Sequence, residues 1–467
     1  MLNKVLAISL LLLVSCAESG ELSEISEGVQ PRDAGLLDRP TPDGLTPRRH
    51  EPPTRASMLR HRAELARRVG NDVLATSLET QALSTSLVPR TPHAKPSVQA
   101  KCSNWVGLNY IRFKFAEGTN IRLDQSKHFF SDNGPGMTPQ FFADLAVINA
   151  ITDLQSTRLF DASDTELLES KSDAEKNTGE EQADLTLWYD GLVGPTLLED
   201  ITQDPVVCAR SADLVNILNG LSIIEIAHPG PGHVEPPTLP FIAPSTATAP
   251  TSIAREPPHM GPAPQGLNSP LITASRLHPA FRAAWEGASI GITDVEYSFA
   301  EHEKVNAWVI PGGTIVLGSG EFGNYAHGTA VMAAAFGTAF SANDPLQVRY
   351  GTRGFAPQAR RAFSPQRDTE FLFFVVSDIP EAIERAGRLE DPSDIILMET
   401  QSSPFAGSVV GPGGGLTASE SLPAVYDTIR TFAGLGRIVV EAAGNGSNDI
   451  DTWSGFRPNS GALMVGA

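Results

Sequence analysis

Hydrophobic and polar positions fall into element-forming patterns in two stretches of the chain. In the first, Leu108 to Phe115 alternates with a period of two and is closed by Glu117-Gly118, which predicts a half-buried strand. Thr138-Pro139 opens a predicted helix carrying Phe141, Phe142, Leu145 and Ile148. Asp184 to Tyr189 reads as a strand. Asp204-Pro205 opens a second helix with Val207, Leu214, Val215 and Leu218 on one face; Gly220 ends it, and Leu221 to Ala227 reads as a strand. Glu166 to Glu181 is dense in acids and reads as an exposed loop. Together these give a small mixed α/β unit, residues 101–229.

The second stretch, 275–467, alternates strand-like and helix-like runs. Ala288 to Asp294 is a short apolar strand ending in a carboxylate. Val331 to Phe336 is a helical run of small residues, Leu422 to Gly434 has helical spacing, and Gly354 to Ala359 is a loop entering another strand. Asp394 to Gln401 and Ile438 to Asn445 are apolar strands that end in polar side chains. Strands alternating with helices predict a parallel sheet. Such sheets place their sites at successive carboxyl ends.

The rest of the chain lacks that periodicity. Residues 230–274 read as a linker, because eleven prolines lie between 229 and 264. Residues 16–100 are rich in Pro, Ser, Glu and Arg and read as a flexible tether. Within it, Pro53-Thr54 opens a short predicted helix through Met58, Leu59, Leu65 and Val69.

Charge and composition narrow the function. Among 467 residues, 54 acids outnumber 35 bases, for a net charge of −19. Nucleic acid is thereby disfavoured as a partner, because phosphate contacts need Lys and Arg. Three cysteines exclude a disulfide-dense scaffold and a four-Cys zinc site. Cys102 and Cys208 share the first unit; a disulfide between them and two separate thiols both fit the sequence.

At the N-terminus, Lys4 precedes a nearly apolar run, Val5 to Val14, of the length found in export signals rather than membrane spans. Leu13-Val14-Ser15-Cys16 follows, and a polar stretch begins at Ala17. This segment resembles the lipobox of bacterial lipoproteins, with residues 1–15 as signal peptide. The resemblance implies lipidation of Cys16 and an exported protein held on the periplasmic or extracellular face of a membrane. An ordinary secretory signal is the other reading.

In the second unit, His327-Gly328-Thr329 lies 33 residues after Asp294, followed by Gly354-Phe-Ala-Pro357 and Ala442-Ala-Gly-Asn445. Order and flanking residues resemble those of the subtilisin-like serine endopeptidases, the subtilases. The resemblance covers about 190 residues, Ser275 to the end. It implies a parallel-sheet α/β peptidase domain acting on protein or peptide substrates. His327 would be general base and then acid, with Asp294 fixing its tautomer. The Asn445 amide would donate to the oxyanion, worth about 3–4 kcal/mol in such sites. The segment from Gln401 to Gly415 would line the substrate cleft, which places Gln401 and Gly413 at the substrate. No cofactor is implied. Structural calcium occurs in the family, but no liganding cluster stands out here, so no metal ligand is assigned.

Two departures matter. Val295-Glu296 follows Asp294 where the family has Thr or Ser then Gly. The Gly-Thr-Ser-x-Ala-x-Pro nucleophile segment does not occur, and Ser460 lacks the helix that should follow it. The expected domain is therefore incomplete at its C-terminal side and inactive as it stands. Leu214 to Pro229 resembles the last helix and strand of subtilase propeptides, which implies that the first unit is an intramolecular inhibitor. The competing reading is a non-enzymatic binding or regulatory lipoprotein on a decayed protease scaffold.

Overall fold

The computed structural model describes residues 63–98, 109–131, 137–194, 204–230, 287–296, 315–316, 328–336, 356–365, 378–388, 393–402, 417–444 and 460–466, with short gaps inside several of these stretches. Helix α1 (Asp72–Leu83) precedes the first unit. That unit runs β1 (Tyr110–Phe115), β2 (Ile121–Leu123), β3 (Phe129–Ser131), α2 (Pro139–Asn149), β4 (Leu154–Arg158), α3 (Asp164–Thr178), β5 (Trp188–Val193), α4 (Pro205–Gly220) and β6 (Ile224–Pro229). Its antiparallel sheet has the order β4-β5-β1-β6.

Local chemistry sets the ends of these helices. Thr138 accepts the Phe141 N–H and Asp204 accepts those of Val206 and Val207, with proline in each first turn. The acid-rich segment expected to be a loop is helix α3. Ser163 and Glu166 form a reciprocal capping box, and Gly179, at φ 67°, ends the helix. Its acids are the solvent face, since only Leu167 and Ala174 are buried. The strand expected at Asp184 starts later, because Asp184 caps a 3-10 turn, Leu185–Leu187, that delays it to Trp188.

Strand β1 is buried on both faces rather than one. Ile111, Phe113 and Phe115 meet Leu214, Val215 and Leu218 of α4 in one core. Arg112 and Lys114 point to the other face and are neutralised there. Arg112 makes a bidentate pair with its cross-strand neighbour Asp190, at 2.6 and 2.8 Å, and Lys114 lies 2.8 Å from Glu225. Cys208 is disulfide-bonded; Cys16 and Cys102 lie outside the described residues.

The second unit is a six-stranded sheet of order β14-β13-β10-β7-β9-β8, with every pairing parallel. Its strands are β7 (Gly291–Glu296), β8 (Ile315–Val316), β9 (Arg360–Pro365), β10 (Ile395–Met398), β13 (Ile438–Ala442) and β14 (Leu463–Val465). Helices α5 (Ile379–Arg388) and α6 (Pro423–Gly434) cover one face, and a small ladder pairs β11 (Gln401–Ser402) with β12 (Thr417–Ala418). Ile292, Leu397 and Val440 meet Met332 and Phe336 on the opposite face.

One core joins the two units. Leu159, Phe160, Trp188 and Ile226 of the first pack with Ile383, Val425, Ile429 and Phe432 of the second. Full burial of each such side chain stabilises by about 1.5–3 kcal/mol. Residues 87–98, read from sequence as part of a tether, are instead bonded along this assembly. Val88 bridges to Glu180, Arg90 pairs with Glu225, and Val98 and Asn216 exchange two hydrogen bonds. The helix expected to open at Pro53-Thr54 begins outside the described residues, and nearly all of the proline-rich linker lies outside them too.

Candidate functional site

Strand β7 occupies an interior place in the sheet, between β10 and β9, with Asp294 opposite Leu397 and Phe363. The two-residue period puts Ile292, Asp294 and Glu296 on the face that meets Met332 and Phe336. Asp294 is fully buried, and neither carboxylate oxygen has a hydrogen-bond partner among the described residues. Burial, then the neighbouring Glu296 and Glu399, push its carboxyl well above the usual range. A buried carboxylate in this setting calls for a donor from the face it looks onto.

His327 itself lies outside the described residues, but Gly328, Val331 and Met332 after it are helical. Asn445 also lies outside them. It follows Gly444, just beyond the carboxyl end of β13, where Ala443 donates to Val465 O at 2.9 Å. Because β7, β10 and β13 are parallel neighbours, their carboxyl ends share one edge of the sheet. Gln401 is buried in the β11–β12 ladder beside Ala418. Gly413 and Cys16 lie outside the described residues.

Two further acid groups stand at this edge. Glu296 and Glu399 crowd Asp294; the visible signal was a second carboxylate two residues along an otherwise apolar strand. On the other face, Glu420 donates its backbone N–H to Glu441 at 2.7 Å, and Ser460 donates its hydroxyl to Glu420. Burial raises both carboxyls, and each raises or restrains the other through their contact. Ser460 is thus a buried structural hydroxyl that also accepts the Ala462 N–H, tying the β14 turn to Glu420. Among the described residues, no group of three or more His, Cys, Asp or Glu is arranged to hold a metal, and no helix is long and apolar enough to cross a membrane.

The contact between units is polar as well as apolar. Asp427 of α6 accepts the Trp188 indole N–H at 3.1 Å, and His93 Nε2 lies 2.9 Å from its other oxygen. Burial opposes that charge, but His93, Arg90 and Lys114 hold the Asp427 carboxyl well below the usual range. Asn177 donates to Gly434 O at 3.3 Å, and Arg388 lies 2.6 Å from Glu166.

No protein-family model and no curated protein matches the chain. Among solved structures, it is similar to fervidolysin from Fervidobacterium pennivorans, a keratinolytic enzyme related to subtilisin. That similarity has a TM-score of 0.36 and 12% identity, over 78% of this chain and 44% of that one, so the chain spans less than half of its neighbour's length.

Proposed function

We propose that the second unit is a subtilisin-like serine-endopeptidase domain acting on proteins or peptides, with Asp294, His327 and Asn445 as its charge-handling residues. The observation that carries this reading is Asp294: a fully buried carboxylate, without a hydrogen-bond partner among the described residues, near the carboxyl edge of an all-parallel sheet and facing the helix that His327 precedes. His327 supplies the donor that Asp294 lacks, takes a proton from the attacking hydroxyl and returns it to the leaving amine. Asn445 donates its amide to the oxyanion. No serine of this chain is assigned as nucleophile, and Gln401 and Gly413 belong to the substrate-lining segment. The first unit is an intramolecular inhibitor, and Cys16 carries lipid that holds the exported protein on a membrane.

Peptide hydrolysis and fluorophosphonate labelling of residues 17–467 should both be absent, since no serine is assigned, and labelling would show that a serine of this chain is the nucleophile. A His327 ring that titrates alike in wild type and Asp294→Asn refutes the site. The anchor is tested separately: Cys16→Ser should move the protein out of the bacterial membrane fraction, and equal partition of both forms refutes lipidation.

A further inference from the structure

Carboxyl groups from both units crowd the contact over α5. Asp378, Glu381 and Glu384 approach it from the second unit and are all buried. Asp161, Glu166 and Asp190 approach it from the first. Glu381 lies beside Asp378 in its own unit and faces Asp161 across the contact. Carboxyls crowded together out of water favour the protonated form. The cations here are three arginines. Arg112 is taken by Asp190 and also faces Asp378; Arg385 lies 3.1 Å from Glu381; Arg388 lies between Glu384, at 2.5 Å, and Glu166, at 2.6 Å.

We propose that this contact is a proton-operated clasp, through which the first unit docks on the second in mild acid and lets go as the pH rises. It needs only two separable units and is independent of the chemistry assigned to Asp294.

Protonation supports the geometry. Burial, with Asp378 and Asp161 beside it, pushes Glu381 up to about 12. Burial raises Glu384 to about 7 despite Arg388 and Arg385, and raises Asp378 despite Glu381, Arg112 and Arg385. Each of these acids is raised while docked and returns towards its ordinary value, 4.5 for a glutamate, when exposed to water. Docking is therefore fully supported below that value and fades as the pH climbs through it. Glu384 stops contributing near pH 7, whereas Glu381 and Asp378 continue the trend. Asp427, facing His93, Arg90 and Lys114 over α6, works in the opposite sense and weakens docking only in stronger acid.

The experiment introduces a specific protease site between residues 240 and 260 of the full chain, cuts it, and measures the affinity of the two fragments by size-exclusion chromatography. Each titrating group weakens docking by up to about tenfold per pH unit, so affinity should fall at least about 100-fold from pH 5 to pH 7. Glu381→Gln and Glu384→Gln should each make that slope shallower by about tenfold per unit. Equal affinity of the wild-type fragments at pH 5 and pH 8, or a wild-type slope in both variants, overturns the proposal.

Discussion

Trp188, on the first unit's sheet, donates its indole N–H to Asp427 on α6 across the contact between units. The indole is fully buried and the carboxylate nearly so, and the second oxygen is met by His93 of the segment 87–98. Two side chains far apart in sequence thus meet the two oxygens of one buried carboxylate. Trp188→Phe keeps an aromatic side chain but deletes the donor, leaving a buried carboxylate oxygen unpaired at about 1–3 kcal/mol, with the smaller ring adding to the loss. The urea midpoint of the intact chain should fall accordingly, and an unchanged midpoint would show that water or another donor takes the indole's place.

Gly387 marks where α5 and α6 touch. A Cβ there would lie 2.2 Å from the Phe432 ring, which is fully buried and cannot swing into solvent. Gly387→Ala should therefore cost about 1–3 kcal/mol through overpacking, read as a lower thermal midpoint. A neutral result would mean that the two helices slide freely past each other.

Glu441 predicts a pH effect within the second unit. Its carboxyl is raised by burial and by Glu420, so its stabilising contribution is present in acid and is lost as the pH rises above the ordinary glutamate value of 4.5. Glu441→Gln retains an acceptor for the Glu420 N–H and removes the ionisation. The variant should gain about 1–3 kcal/mol over wild type at pH 8 and little at pH 4. Parallel stability profiles from pH 4 to pH 8 would contradict this.

Most of the scaffold was legible because its signals are local. The Thr138-Pro139 and Asp204-Pro205 openings mark α2 and α4, and the apolar runs at 291–296, 395–398 and 438–442 mark the parallel strands. Acid density hides helix α3, because a run of acids also suits a solvent loop, although Ser163 and Glu166 carry the capping-box spacing. The burial of Arg112 and Lys114 was not legible either. Alternation shows that they leave the core face, but only the tertiary contact shows that Asp190, Glu225 and a second unit cover the other face. Asp294 was legible as a strand-borne carboxylate; its crowding by Glu399 depends on the register of β7 with β10.

The subtilisin-like reading stands on the pairing of Asp294 with His327, and NMR titration of the His327 ring probes that pairing with no need for a nucleophile. An adjacent buried carboxylate favours the imidazolium, so replacing Asp294 with Asn should lower the ring's titration midpoint by about one pH unit or more. A midpoint that is the same in the wild type and in Asp294→Asn would place the two residues apart and contradict the subtilisin-like site.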